Sequence, residues 1–324
     1  MKAAIRGDDG LAFVDRPRPE PGPDDVLVRV RACALNRADL GMLAGRMHGS
    51  HGGSGTVLGL EWAGEVAACG ANVAHVKPGD RVMGSGAGAF AEYAVADRGR
   101  VTPLPQAAMS FEQATTLPIA LQTMHDAIVT NGGLQAGESV LIQGASSGVG
   151  LMGLQIAKLM GAAVVIGTST TAERRARLHE FGADLALDSR DADWPAQARA
   201  ATGERGVDLI VDQLAGSAAN QNLAAAALRG RIVNVGRLAG MRAEFDFDLH
   251  ALKRIHYIGV TFRTRTVQEV RRINERMRAD LWPQLQAGAL ALPISQRFAF
   301  DQLGEAFACM KANRHFGKIV VNLD

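Results

Sequence analysis

Cysteine, tyrosine and net charge are all scarce in this chain. The three cysteines, Cys33, Cys69 and Cys309, are odd in number and far apart. That count excludes a disulfide framework and a cysteine-rich zinc lobe, and it suits reduced thiols in a cytosol. The eight histidines form no H-x-x-x-H or H-E-x-x-H pair. His48 and His51 lie three apart in a glycine-rich stretch, which reads as a solvated loop. A net charge of +2 and the lack of a basic–aromatic stripe give no case for a nucleic-acid partner. No run of about 18 uncharged apolar residues is present, so no membrane span is expected. Met1–Arg6 carries no apolar signal core, and a cytoplasmic location is expected.

What is present is organised around Ser139–Gly150. Val140, Leu141 and Ile142 read as a buried parallel strand. Leu151, Leu154, Ile156, Leu159 and Met160 recur at helical spacing. The turn between them, Ala145, Ser146, Ser147, Gly148, Val149 and Gly150, occupies the place of a G-x-G-x-x-G fingerprint. Two of its glycines are replaced, but every replacement is small. Such a turn lets a pyrophosphate approach the backbone and the helix N-terminus. An ordinary tight strand–helix turn is the competing reading.

Residues 1 to about 120 alternate apolar and polar positions in short segments between Gly/Pro turns, the pattern of a partly closed barrel. Residues 44–56 read as a loop. A helix is expected at Phe111–Thr115 behind Ser110, and another at Leu121–Asn131. Strands are then expected at 139–143, 163–168, 184–187, 207–212, 230–235 and 255–260. Helices are expected between them near 148–160, 172–181, 192–202 and 217–228. This alternation predicts an α/β chain with a parallel sheet covered on both faces. An amphipathic helix at Val267–Ala287, a strand at 294–300, a short helix at 301–312 and a closing strand at 317–321 follow.

The second strand of this region ends in Thr168, Ser169, Thr170 and Thr171. An NAD site places an acidic residue there to hold the ribose 2′-hydroxyl. Here Ser169 occupies that place, and hydroxyls can donate to a 2′-phosphate that a carboxylate would repel. Arg174 and Arg175 follow. The expected cofactor is therefore NADPH, with Thr171 and Arg174 as phosphate ligands. A hydroxyl-rich loop before a solvated basic face is the plainer alternative.

The ordered set of segments resembles the medium-chain dehydrogenase/reductase superfamily, in its zinc-independent quinone oxidoreductase branch. The segments are Asn36–Leu40, Leu58–Val66, Pro78–Val82, Gly88–Tyr93, the turn above, Val207–Asp212, Gly230–Gly236 and Gly317–Val320. Gly259–Arg265 is similar to the p53-inducible quinone oxidoreductase subgroup. The resemblance implies a GroES-like β-barrel domain at 1–121 completed by 261–324. It also implies a six-stranded doubly wound Rossmann NADPH-binding domain at 122–260, with an active cleft between the domains. It implies a homodimer or homotetramer joined along the edge formed by Ile255–Phe262.

Zinc members of this superfamily carry Cys where this chain has Asn36 and His where it has Leu60. Amide and isobutyl groups do not bind zinc, so no metal site is expected. By resemblance Asn36 contacts substrate or the nicotinamide ribose. Tyrosines common in relatives are replaced here by Gly41 and Met47, which leaves no evident proton donor. Cofactor contacts are expected at Thr123, Ser146, Ser147, Gly148, Val149, Gly150, Ser169, Thr171, Arg174, Asn234, Gly236, Thr261, Phe262 and Lys318. The implied activity is hydride transfer to small-molecule quinones or activated enones. Alternatives are an enoyl-thioester reductase of acrylyl-CoA or polyketide type, and a cofactor-sensing or RNA-binding crystallin-like protein.

Overall fold

The computed structural model describes residues 1–8 and 10–323. Two compact units are present, Met1–Ile119 with Phe262–Asp324, and Ala120–Thr261.

The first unit is built on β1 (Lys2–Gly7), β2 (Gly10–Asp15), β3 (Asp25–Ala34), β4 (Glu61–Cys69), β5 (Arg81–Ser85), β6 (Tyr93–Asp97) and β7 (Val101–Pro103). In the second unit lie β8 (Ser139–Ile142), β9 (Val164–Thr168), β10 (Leu185–Leu187), β11 (Val207–Asp212), β12 (Ala226–Asn234) and β13 (His256–Gly259). The chain then returns to the first unit for β14 (Ile294–Ala299) and β15 (Lys318–Asn322).

The GroES-like unit has its larger sheet in the order β14-β15-β3-β4-β5-β7, with β6 also paired to β3. Val28, Trp62, Phe90 and Phe307 fill its core. Val28 and Trp62 come from strands, Phe90 from the connection before β6, and Phe307 from the helix Leu303–Lys311. Residues 44–56 form turns, with an isolated bridge between His48 and His51.

The second unit is a Rossmann fold, with six parallel strands in the order β10-β9-β8-β11-β12-β13. The order reverses between β8 and β11, which is where such sheets open a crevice at their carboxyl edge. Leu141, Ile166, Ile210 and Ile232 are fully buried in its core. The apolar run Val140–Ile142 of β8 follows from cover on both faces.

Three expected helices differ. The one at 217–228 ends at Ala225, and β12 begins at Ala226. The alanine run there has helical preference, but pairing with β11 outweighs it, and Arg229 turns into the left-handed region at φ 61°. The helix expected at 172–181 is a short α-turn, Ala172–Ala176, then a 3₁₀ segment ended by Gly182 at φ 99°. The helix expected at 121–131 is Pro118–His125 followed by π-helical turns over Asp126–Asn131. There the Asn131 side chain donates to the Asp126 carbonyl at 2.8 Å.

Candidate functional site

The small-residue turn sits at the carboxyl end of β8. Gly150 is fixed there by contact: a β-carbon would stand 2.6 Å from the Ala145 Cα and 2.7 Å from the Gly144 carbonyl oxygen. Ser147 caps the helix Gly148–Leu159, its Oγ accepting from the Gly150 N–H at 3.0 Å. The same hydroxyl lies 3.0 Å from the Gly144 carbonyl and 3.2 Å from Gln213 Oε1. Thr168 closes the turn from β9, accepting from the Gly144 N–H at 3.0 Å and donating to Gln143 Oε1 at 2.7 Å. The turn is therefore held open by its own hydrogen bonds, with a helix N-terminus behind it.

Ser169 follows Thr168 and is buried, its Oγ 3.0 Å from Ser146 Oγ. The structure thus brings Ser146, Ser147, Gly148, Val149, Gly150 and Ser169 together. Thr171 stands at the N-cap position of the next short helix without a side-chain capping bond, and Arg174 lies half-buried on that helix. Arg175 donates to the Ser169 carbonyl at 3.0 Å and pairs with Asp188 at 2.9 Å. Asp188 is also held by Arg190, whose hydrogen bonds pull its carboxyl well below the usual range. Two guanidinium groups, those of Arg175 and Arg190, therefore hold one carboxylate near Ser169.

Across the order reversal, Asp212 ends β11. Its carboxylate accepts the Leu214 and Ala215 N–H groups at 2.8 and 2.9 Å. Burial pushes its carboxyl above the ordinary value, against those hydrogen bonds. Ala215 stands at φ 53°, ψ −149°, a region that side chains avoid. Asn234 donates to the Gly236 carbonyl at 3.0 Å. A β-carbon on Gly236 would meet the Gln213 carbonyl at 2.4 Å. Gln213 itself donates to the Gln143 carbonyl at 2.9 Å, tying this loop to the glycine turn. Thr123 is half-buried on the helix Pro118–His125, and Thr261 follows β13. Phe262 is the first residue of the returning barrel segment.

A second constellation lies in the barrel unit. β15, β3 and β4 are neighbours and alternate in direction. The start of β15, the end of β3 and the start of β4 therefore fall together. These ends carry Lys318, Asn36 and Glu61, which are 3%, 9% and 0% exposed. Asn36 Nδ2 donates to Glu61 Oε1 at 2.8 Å, and Lys318 Nζ donates to Asn36 Oδ1 at 3.0 Å. Lys318 also forms an ion pair with Glu61. The other Glu61 oxygen accepts the Ile119 N–H at 3.0 Å. Asp39 is wholly buried nearby and accepts the Asn36 backbone N–H at 2.7 Å. Burial, with Glu61 adding to it, pushes the Asp39 carboxyl up to about 7 against the Asn36 hydrogen bond and the Lys318 charge. Burial also raises the Cys33 thiol, which leaves it unreactive.

Sequence reading missed three parts of this arrangement. Lys318, an expected cofactor contact, is engaged with Asn36 and Glu61, and that pairing was not foreseen. The two partners lie 282 and 257 positions away, so no local spacing joins them. Asp39 lay within the Asn36–Leu40 segment but was given no role, and Gln213 carried no motif signal. The donors at the zinc position of the wider superfamily do not fit a metal here. One is an amide, one is the alkyl side chain of Leu60, and Glu61 is already paired with an ammonium group. Among the described residues no group of three His, Cys, Asp or Glu could hold a metal ion.

Comparison with known proteins agrees with this architecture. The alcohol dehydrogenase GroES-like domain model matches residues 22–106, and the zinc-binding dehydrogenase model matches residues 148–277. The solved structure of a quinone oxidoreductase from Pseudomonas syringae is 26% identical, with a TM-score of 0.87 over 99% of each chain. A 2-methylene-furan-3-one reductase of Solanum lycopersicum is 33% identical over 52% of this chain and 46% of its own. A spectinabilin polyketide synthase system protein of Streptomyces orinoci is 40% identical over 44% of this chain and 6% of its own. The matched stretches thus span less than half the length of these curated relatives. The chain belongs to the medium-chain dehydrogenase/reductase superfamily. Within it, the chain is similar to quinone oxidoreductases.

Proposed function

We propose that this chain is an NADPH-dependent oxidoreductase that passes hydride to quinones or activated α,β-unsaturated carbonyls without zinc. The observation that carries the reading is the end of β9. Ser169 stands there beside the glycine turn, with Arg174, Arg175 and Arg190 outnumbering Asp188. Hydroxyl and guanidinium groups suit a 2′-phosphate, and a lone carboxylate tied up by two arginines does not oppose it.

The residues present fit the cofactor. The Ser146–Gly150 turn offers a helix N-terminus to its pyrophosphate. Ser169, Thr171 and Arg174 would hold the 2′-phosphate, and Asn234 and Gly236 lie at the carboxyl edge where the remainder would bind. Bound NADPH supplies the hydride. Asn36 hydrogen-bonds the acceptor oxygen as negative charge gathers there. Quinones and enones delocalise that charge themselves, so a neutral donor suffices. Neither tyrosine is assigned the product's proton: Tyr93 lies in β6 with Arg18 over its ring. Tyr257 lies in the Rossmann sheet, and burial beside Asp212 pushes its hydroxyl up to about 12. Water supplies the proton.

The polyketide relative favours a second reading, reduction of an enoyl thioester by the same groups. Purified protein with NADPH should be offered a benzoquinone, a naphthoquinone, an alkenone and an enoyl-CoA in parallel. Consumption with the first three supports the proposal, and consumption with the thioester alone selects the second reading. NADPH binding with every acceptor untouched overturns both.

We further infer a homo-oligomer paired along β13. That strand is the sheet edge, and Phe247, Leu252 and Met241 are 75%, 72% and 75% exposed in the same unit.

A further inference from the structure

We propose that the buried Glu61–Lys318 pair is a positioning device that fixes the polarity of the Asn36 amide. It makes Asn36 meet the acceptor as an N–H donor and never as a carbonyl. The inference rests on the reading that Asn36 contacts the acceptor.

The argument is one of donor and acceptor capacity. An ammonium group only donates and a carboxylate only accepts, whereas a carboxamide has one end of each kind. With Lys318 Nζ at Oδ1 and Glu61 Oε1 at Nδ2, both contacts are satisfied. Turning the amide over would set donor against donor and acceptor against acceptor in a buried site, where unmatched polar groups are costly. One orientation therefore survives. The second Nδ2 hydrogen has only the Ala34 carbonyl at 3.5 Å, the outer limit of a hydrogen bond, so it is the one left for a ligand.

The clamp is itself anchored. Glu61 Oε2 takes the Ile119 N–H, and the Lys318 N–H donates to the Pro293 carbonyl at 2.9 Å. Stability alone does not account for the pair, because a buried ion pair is often no better than apolar side chains of equal volume. Orienting a dipole at a reacting oxygen is a use that apolar side chains cannot supply.

The test compares wild type, Lys318→Arg, Lys318→Met and Glu61→Gln in the full chain. The Asn36 side-chain NH₂ pair is assigned in nitrogen–proton spectra by its loss in Asn36→Ser. Wild type and Lys318→Arg should show one pair, with one proton shifted by the carboxylate. In Lys318→Met the pair should double or average as both orientations become populated. In Glu61→Gln, which keeps an acceptor for Ile119, the carboxylate shift should vanish. With a quinone acceptor, Lys318→Met should lose kcat about 100-fold, with NADPH affinity unchanged. Lys318→Arg should recover most of it.

An unaltered Asn36 pair in both neutral variants overturns the proposal. So does a loss of NADPH affinity with kcat intact, which would make Lys318 a cofactor ligand. If Lys318→Met does not fold, Glu61→Gln decides by the same spectrum. Should wild type reduce no quinone or enone while the amide pair still doubles in Lys318→Met, the clamp stands and the acceptor reading falls.

Discussion

Replacing Asp39 by asparagine should flatten the dependence of stability on pH. Asp39 is 0% exposed, and its Oδ1 has no hydrogen-bond partner among the described residues. Oδ2 accepts the Asn36 N–H, a contact that an asparagine oxygen reproduces. The carboxyl titrates at about 7 in the fold against an ordinary value of 3.8. Between those values the native chain holds a proton that the unfolded chain has released. Stability contributed by this group is therefore full below the unfolded value and is lost as pH rises through the folded one. At 1.36 kcal/mol per pH unit, the loss reaches about 4 kcal/mol. Urea unfolding of both proteins from about pH 4 to about pH 8 reads it directly. The stability of Asp39→Asn relative to wild type should climb across that range and level off above about pH 7. Parallel curves, or a wild type that gains on the variant with rising pH, would refute the reasoning.

Other perturbations have equally definite outcomes. Ser169→Asp places a carboxylate beside the proposed 2′-phosphate, and fluorescence titration should show NADPH affinity falling about 10- to 100-fold, with NADH affected less. Gly150→Ala drives a methyl group into the Ala145 and Gly144 backbone. Calorimetry should register a loss of about 2 kcal/mol or more, accompanied by lost dinucleotide binding. Ala215→Gly relieves a strained backbone at φ 53°, and should stabilise the fold by about 1 kcal/mol after the entropic cost of glycine. Phe247→Glu on the exposed helix Phe247–Lys253 should shift the protein toward monomer in light scattering, with the fold retained.

The Rossmann unit was legible because parallel strands buried on both faces are continuous apolar runs. Val140–Ile142 and Leu209–Val211 show this plainly. The glycine turn was legible because close approach demands small residues, which Gly150 bears out by its contacts. Local pattern failed where tertiary pairing set the structure. The alanines at 224–227 read as helix until β11 drew Ala226 into a strand. It does not reach the partners of Lys318, which come from the ends of two other strands. A sequence shows which residues can pair, but strand order decides which ends meet.

The central claim is that the phosphate-bearing cofactor reduces a self-delocalising acceptor in a site that needs no metal. It is tested most directly by following anaerobic NADPH oxidation by chelator-treated protein with a quinone, and repeating it with NADH and with added zinc. The account predicts full activity after chelation, a strong preference for NADPH and no gain from zinc. Activity that vanishes on chelation and returns with zinc, or that favours NADH, would contradict it.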